Sequence, residues 1–224
     1  VINSSGSVGI GIDTPDRRLH SEVDDASASA VTYAERLTHT TSGTPANNIG
    51  VGIEFEAETS ADNNEVGAIV EAVAVDATAA SEDFDIVFKN MTAGAAAAET
   101  FRIKSTGLVQ ASKALASGVF ALTDAAPIAT DVSLGNVFTV SSAVDRTLGV
   151  PTNPTSGQKC IWRWKNTDTA AHTLTLTTGS AGAFRFGSSI NNTSATPSGK
   201  TDYIGAVYNL QDDRWDVIAY SKGY

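Results

Sequence analysis

Apolar and polar residues alternate along much of the chain with a period of two, the spacing of a β-strand with one buried and one wet face. Between 49 and 58, Ile49, Val51, Ile53, Phe55 and Ala57 fall on one side, and Gly50, Gly52, Glu54, Glu56 and Glu58 on the other. Similar short runs at 66–75, 84–89 and 99–104 are separated by the stretches at 62–64, 76–83 and 91–95, the first two polar and the last broken by Gly94. They predict a meander of antiparallel strands. The run from Ala93 to Glu99 holds helix formers, but Gly94 interrupts it, and it is far shorter than the roughly 12–15 residues an isolated helix needs. A loop or single turn is expected there.

Beyond an Ala/Ser/Gly-rich joint at 111–118 the strands become cleaner. Runs at 137–140 and 146–150 lead into a turn-rich loop at 151–157. In 159–165, Cys160, Trp162 and Trp164 share one face, with Lys159, Ile161, Arg163 and Lys165 opposite. In 172–178, Leu174 and Leu176 oppose Thr173, Thr175 and Thr177. Segments 202–209 and 215–221 flank 210–214 and predict a terminal hairpin. Short strands at roughly 8–12-residue spacing imply a β-sandwich or jelly roll. The expectation is an all-β chain with a β-rich first domain at 1–112 and a C-terminal β-sandwich at 118–224.

Composition adds a second expectation. Gly, Ala, Ser and Thr number 19, 33, 22 and 26 of 224 residues, whereas Leu, Ile, Val and Phe together number 50. A chain so poor in large apolar side chains buries little core by itself, so burial between copies is expected to supplement it. No run of 18 apolar residues exists, so no membrane-spanning helix is expected. The first residues lack the basic and apolar regions of a signal peptide, and the missing initial Met suggests a fragment or a processed chain.

Charge divides the chain. Residues 1–113 carry 17 acids against 7 bases, and residues 114–224 carry 8 against 8. The acidic excess argues against a nucleic-acid partner, which needs clustered Lys and Arg.

Candidate chemistry is sparse. One cysteine, Cys160, cannot close an intrachain disulfide, and with three scattered histidines it cannot build a zinc site of the usual spacing. Carboxylates such as Glu54, Glu56, Glu58, Glu65, Glu71, Glu82, Asp83 and Asp85 could act as an acid/base pair on a glycan, but strict alternation makes them the wet face of strands. Gly6, Gly9 and Gly11 are followed by Thr14-Pro15-Asp16 and no helix, which excludes a phosphate cradle. Asp24-Asp25 and Asp212-Asp213 lack the EF-hand spacing. Neither a catalytic constellation, a cofactor nor a metal is expected.

The run from Gly6 to Pro15, with Val8-Gly9-Ile10-Gly11 at its centre and Leu19-His20 after it, resembles a signature that recurs in tail fibres and other structural proteins of tailed bacteriophages. Glu99 to Gly107 is similar to a segment that often precedes that signature, and Arg146-Thr147-Leu148, Gly157-Gln158, Phe184-Arg185-Phe186 and Trp215-Asp216-Val217 resemble a C-terminal β module of such fibres. Ser142 to Asp145 stands where Gly and Asn are usual before that module, and Gly107 is followed by Leu108-Val109-Gln110, not by a second copy of the signature.

The resemblance implies a non-enzymatic homotrimeric virion protein, assembled in the host cytoplasm beside other virion proteins. Its first domain would be a shaft or knob, and its C-terminal sandwich a tip attaching to a glycan or protein of the host surface. Gly9 and Gly11 would let three chains approach an axis. A head fibre or capsid decoration protein without host recognition is the alternative, and a capsule-cleaving tailspike a third. For attachment, Arg185, Asn191, Asn192, Tyr203, Asp212 and Arg214 are the candidate ligand-binding side chains, able to hydrogen-bond or stack on sugars. Each aromatic among Trp162, Trp164, Tyr203, Tyr208, Trp215, Tyr220 and Tyr224 either fills the core or meets the glycan.

Overall fold

The computed structural model describes residues 1–190 and 194–224, and among them the protein is all-β, with one short 3-10 turn at Val132–Leu134 and no α-helix. The chain divides into two compact units, Val1–Ala114 and Leu115–Tyr224, so the division falls inside the Ala/Ser/Gly-rich joint.

In the first unit, β1 (Val8–Ile10) and β2 (Leu19–Ser21) pair in parallel. A Cβ at position 9 would sit 2.3 Å from the carbonyl oxygen of Ile12, and one at position 11 only 2.0 Å from that of Glu22. Gly11 also has a φ of +78°, the left-handed region that glycine tolerates. Approach of the chain to itself therefore demands both glycines.

A five-stranded antiparallel sheet follows in chain order: β3 (Gly50–Glu58), β4 (Asn64–Asp76), β5 (Asp83–Thr92), β6 (Ala95–Ile103) and β7 (Val109–Ala111). The expected meander is present. The alanine run belongs to β6: Ala93 and Gly94, with φ of 52° and 76°, turn the chain, and Ala95 and Ala98 pair with Thr92 and Asn90. Pairing with a neighbouring strand outweighs the small helix preference of four alanines.

Residues opposite each other across a sheet share a face. Ile53, Val70, Phe88, Phe101 and Ala111 make one such row, and Val51, Ala72, Ile86, Ile103 and Val109 the next. Phe88 and Phe101 meet edge to face with centroids 5.5 Å apart. The other face is charged and internally paired: Lys89 Nζ lies 2.5 Å from Glu71, and Arg102 bridges Asp85 at 2.6 Å and Glu99. Hydrogen bonds from Arg102 and from the Ser105 amide hold the Asp85 carboxyl below the usual carboxylate range. The Glu71–Lys89 and Asp85–Arg102–Glu99 groups lie on the charged side that the alternation anticipates, but that side is not the wet one: Asp85 and Val87 on it are buried, whereas the apolar face remains largely open.

The second unit contains a six-stranded sheet in the order β13 (Phe184–Phe186), β15 (Arg214–Ser221), β14 (Thr201–Asn209), β11 (Lys159–Asn166), β9 (Val137–Ser142) and β8 (Val119–Ala121). The expected terminal hairpin is β14–β15, antiparallel, and β11 pairs with β14 in the same sense. The pairings β8–β9, β9–β11 and β13–β15 are parallel, where the sequence pattern reads as antiparallel throughout. The long connections across 122–136 and 143–158 carry the chain back to the same end before the next strand begins, which hydrophobic alternation alone does not reveal.

The core sits on the inner face of this sheet. Phe138, Cys160, Trp162, Trp164, Ile204, Ala206, Trp215 and Val217 point inward from it. The small parallel pair β10 (Arg146–Leu148) and β12 (Leu174–Leu176) adds Leu148, Leu174 and Leu176 to the same cluster. Trp162 is central, stacked on Phe138 at 5.9 Å and edge-on to Phe184 at 5.3 Å and Trp215 at 5.4 Å. Burial pushes the Cys160 thiol up to about 12, so it stays an inert core thiol at neutral pH.

Candidate functional site

At one end of the six-stranded sheet, strand alternation sends Phe184 inward and Arg185 outward, directly across from Asp216 on β15. Arg185 donates from Nε to Asp216 Oδ1 at 2.7 Å and from Nη2 to Asp212 Oδ2 at 2.8 Å. Asn209 Nδ2 donates to the remaining oxygen of Asp216 at 3.3 Å and to Asp212 at 3.2 Å. Its Oδ1 accepts the amides of Gln211 and Asp212, which closes the 210–213 loop as an Asx turn. Arg185 holds the Asp216 carboxyl below its usual range, and the two aspartates hold the Arg185 guanidinium charged.

Beneath this surface, Tyr208 Oη donates to Asp213 Oδ1 at 2.7 Å, which with burial raises the phenol above its ordinary value. Asp213 adopts a φ of 50°, and its carbonyl accepts from Gly182 N and from Arg214 Nη1. Arg185 and Asp212 are each about 46% exposed in their side chains, so the ion pair is solvent-screened and adds little stability. Its effect is to fix a planar guanidinium and two carboxylates at set positions on a rigid edge, an arrangement that can exchange hydrogen bonds with sugar hydroxyls or a polar peptide.

Of the residues expected from sequence, Arg185 and Asp212 are brought into contact, and Arg214 follows Asp212 in the β14–β15 hairpin, its Nη1 donating to the Asp213 carbonyl. Tyr203 is not. It lies in strand β14, not a loop, six residues before Asn209, which places it about 20 Å away at the opposite end at about 3.3 Å per residue. It packs edge to face on Tyr224 at 5.4 Å. Tyr203 and the Arg185–Asp212 pair therefore occupy two separate places, because an extended strand keeps its ends apart. Asn191 and Asn192 lie outside the described residues. Of the aromatics, Trp162, Trp164, Tyr208 and Trp215 belong to the core, and Tyr220 packs against it, its hydroxyl raised chiefly by burial.

Asn209 and Asp216 escaped the sequence reading. The available signals were an asparagine ending a strand just before Leu210-Gln211-Asp212-Asp213 and an aspartate at an outward position beside Trp215. Among the described residues no group of three or more His, Cys, Asp or Glu side chains is arranged to hold a metal.

No family model matches the chain, nor does any curated protein.

A second charged group lies near the Tyr203 end of the unit. His172 holds Asp168 at 2.8 Å through Nε2 and Asp145 at 3.1 Å through Nδ1, and the hydrogen bond to Asp168 leads in raising the imidazole above its ordinary value. A raised folded value stabilises fully below the unfolded value of about 6.5 and loses that contribution as pH climbs through the raised one. The melting temperature of the second unit is expected to fall as pH rises above that unfolded value, and His172→Gln to flatten that dependence. Equal slopes in the two proteins would refute the assignment.

Proposed function

We propose that this chain is a non-enzymatic, homotrimeric fibre subunit of a phage virion, assembled among other virion proteins, whose second unit attaches to a glycan or protein on the host surface. The observation that carries the attachment reading is the edge formed by Arg185, Asp212, Asp216 and Asn209. Its polar groups are pre-positioned by one another and by a hairpin anchored on the Trp215 core. Pre-positioned groups lose little entropy on contact, and three weak copies on one fibre multiply their effect. The short motifs around Gly9–Gly11 and Arg146–Leu148 support the virion assignment.

The test is adsorption of particles carrying Arg185→Ala or Asp212→Ala, with Tyr203→Ala as a probe of the opposite end. Tenfold or greater loss of adsorption is expected for the first two, with melting temperatures within a few degrees of the parent because the pair is exposed. Loss only with Tyr203→Ala would move the site to the other end. Normal adsorption by all three would leave the capsid-decoration role in its place.

A further inference from the structure

The five-stranded sheet of the first unit has one apolar face without a covering layer. Ile53, Phe55, Phe84, Ile86, Ile103 and Val109 are all more than a third exposed, with Phe55 the most open at 54%. They surround Val70, Ala72, Phe88 and Phe101 on the same face. The rows from Val51 to Phe55 carry no charged side chain across the sheet, whereas Glu71, Asp85, Lys89, Glu99 and Arg102 all project from the reverse face. A sheet with one apolar side is normally completed by a second layer. Isolated exposed apolar residues need no such explanation, but a contiguous face of them marks an interaction surface.

We infer that this face is closed by further copies of the same chain, three apolar faces turned toward a common axis, which rests on the multimeric part of the function proposed above. Three features favour this occupant. First, the chain carries a net charge of −10, most of its acid in residues 1–113, so copies repel one another except where a surface is uncharged. The apolar face is such a surface and is complementary to itself. Second, five strands about 4.8 Å apart and about eight residues long give a face of roughly 600 Å² as a plane, and more with side-chain relief. This is comparable to the ~800 Å² per partner of a stable interface. Third, three sheets each about 19–24 Å wide, arranged as a triangular prism, place every sheet about 5–7 Å from the axis. That is close to half of the ~10 Å that separates packed sheets, so side chains such as Ile53, Phe88 and Ile86 would fill the centre without a void.

Static light scattering on the intact chain is expected to give three times the 23.2 kDa chain mass. Ile53→Lys with Ile86→Lys is expected to give single chains, and Glu54→Lys on the reverse face to leave the mass unchanged. Because loss of assembly and loss of folding in the double variant both give single chains, cross-linking of an otherwise unaltered sheet provides a second reading. Cys160 is buried, so Phe55→Cys supplies the one reactive thiol. A short bis-maleimide should join Phe55→Cys chains at least tenfold faster than Glu54→Cys chains. A stable single-chain mass for the parent, or equal cross-linking from the two faces, overturns the inference. Neither measurement involves host cells: a trimer that fails to adsorb would refute attachment alone, an adsorbing monomer would refute this interface together with the trimeric part of the proposed function, and a trimer that survives Ile53→Lys with Ile86→Lys and cross-links equally from both faces would refute this interface alone.

Discussion

Trp162→Ala is expected to lower the melting temperature of the second unit by about 10–20 °C, the largest effect of any single core change. The indole is 2% exposed and touches Phe138, Phe184 and Trp215, so its removal leaves a cavity bounded by three rings that cannot collapse together. Truncations of this kind cost about 3–5 kcal/mol, a large share of the 5–15 kcal/mol that stabilises a domain. The Nε1–H also donates to Thr130 Oγ1 at 3.1 Å in the buried interior, and alanine leaves that hydroxyl without this partner. Trp162→Phe keeps most of the ring contact and should lose less than half as much. All three tryptophans belong to the second unit, so fluorescence of the remaining two follows its unfolding in the intact chain. Equal melting of parent and alanine variant would mean that Trp162 is not the centre of the core.

The second large effect is expected from Asn166, a fully buried polar side chain at the end of β11. Its Nδ2 donates to the carbonyls of Ala170 at 2.7 Å and Thr196 at 2.9 Å, and its Oδ1 accepts the Asp168 amide at 3.0 Å. One side chain thus ties the 167–171 loop to the segment around Thr196. Asn166→Ala removes all three bonds in a buried setting and is expected to cost about 1–3 kcal/mol. Asn166→Asp preserves shape but presents an acceptor to two carbonyl oxygens, so it should not rescue stability. Chemical denaturation with both variants provides the measurement. An aspartate variant as stable as the parent would show that the amide does not donate as described.

The two effects share an origin. In both, one side chain satisfies several groups at once inside a low-dielectric interior, where lost partners are not replaced by water. Arg185 stands at the other extreme: it also makes several bonds, but exposure lets water replace them. Its substitution is therefore a probe of recognition with little effect on folding.

Much of the fold was legible along the chain. Period-two alternation placed Val51, Ile53 and Phe55 opposite Glu54, put Trp162 and Trp164 on the buried side of β11, and marked the final hairpin, because a strand's two faces are set by local geometry alone. The charge change and the Ala/Ser/Gly-rich joint fell where contacts divide the units. Strand direction was not legible: β8, β9 and β11 run parallel because of where their connections travel, and alternation is the same for either sense. Nor was the fate of the β6 alanines, which depends on the strand beside them. The attachment candidates were chosen as residue types, so sequence could offer Arg185, Asp212 and Tyr203 together. Only folding, which sets the two ends of β14 about 20 Å apart and brings the sequence-distant β13 against β15, decided which of them meet. Alternation likewise identified an apolar side of the first sheet but not what covers it, since burial is a property of neighbours and no neighbour is written into a single strand.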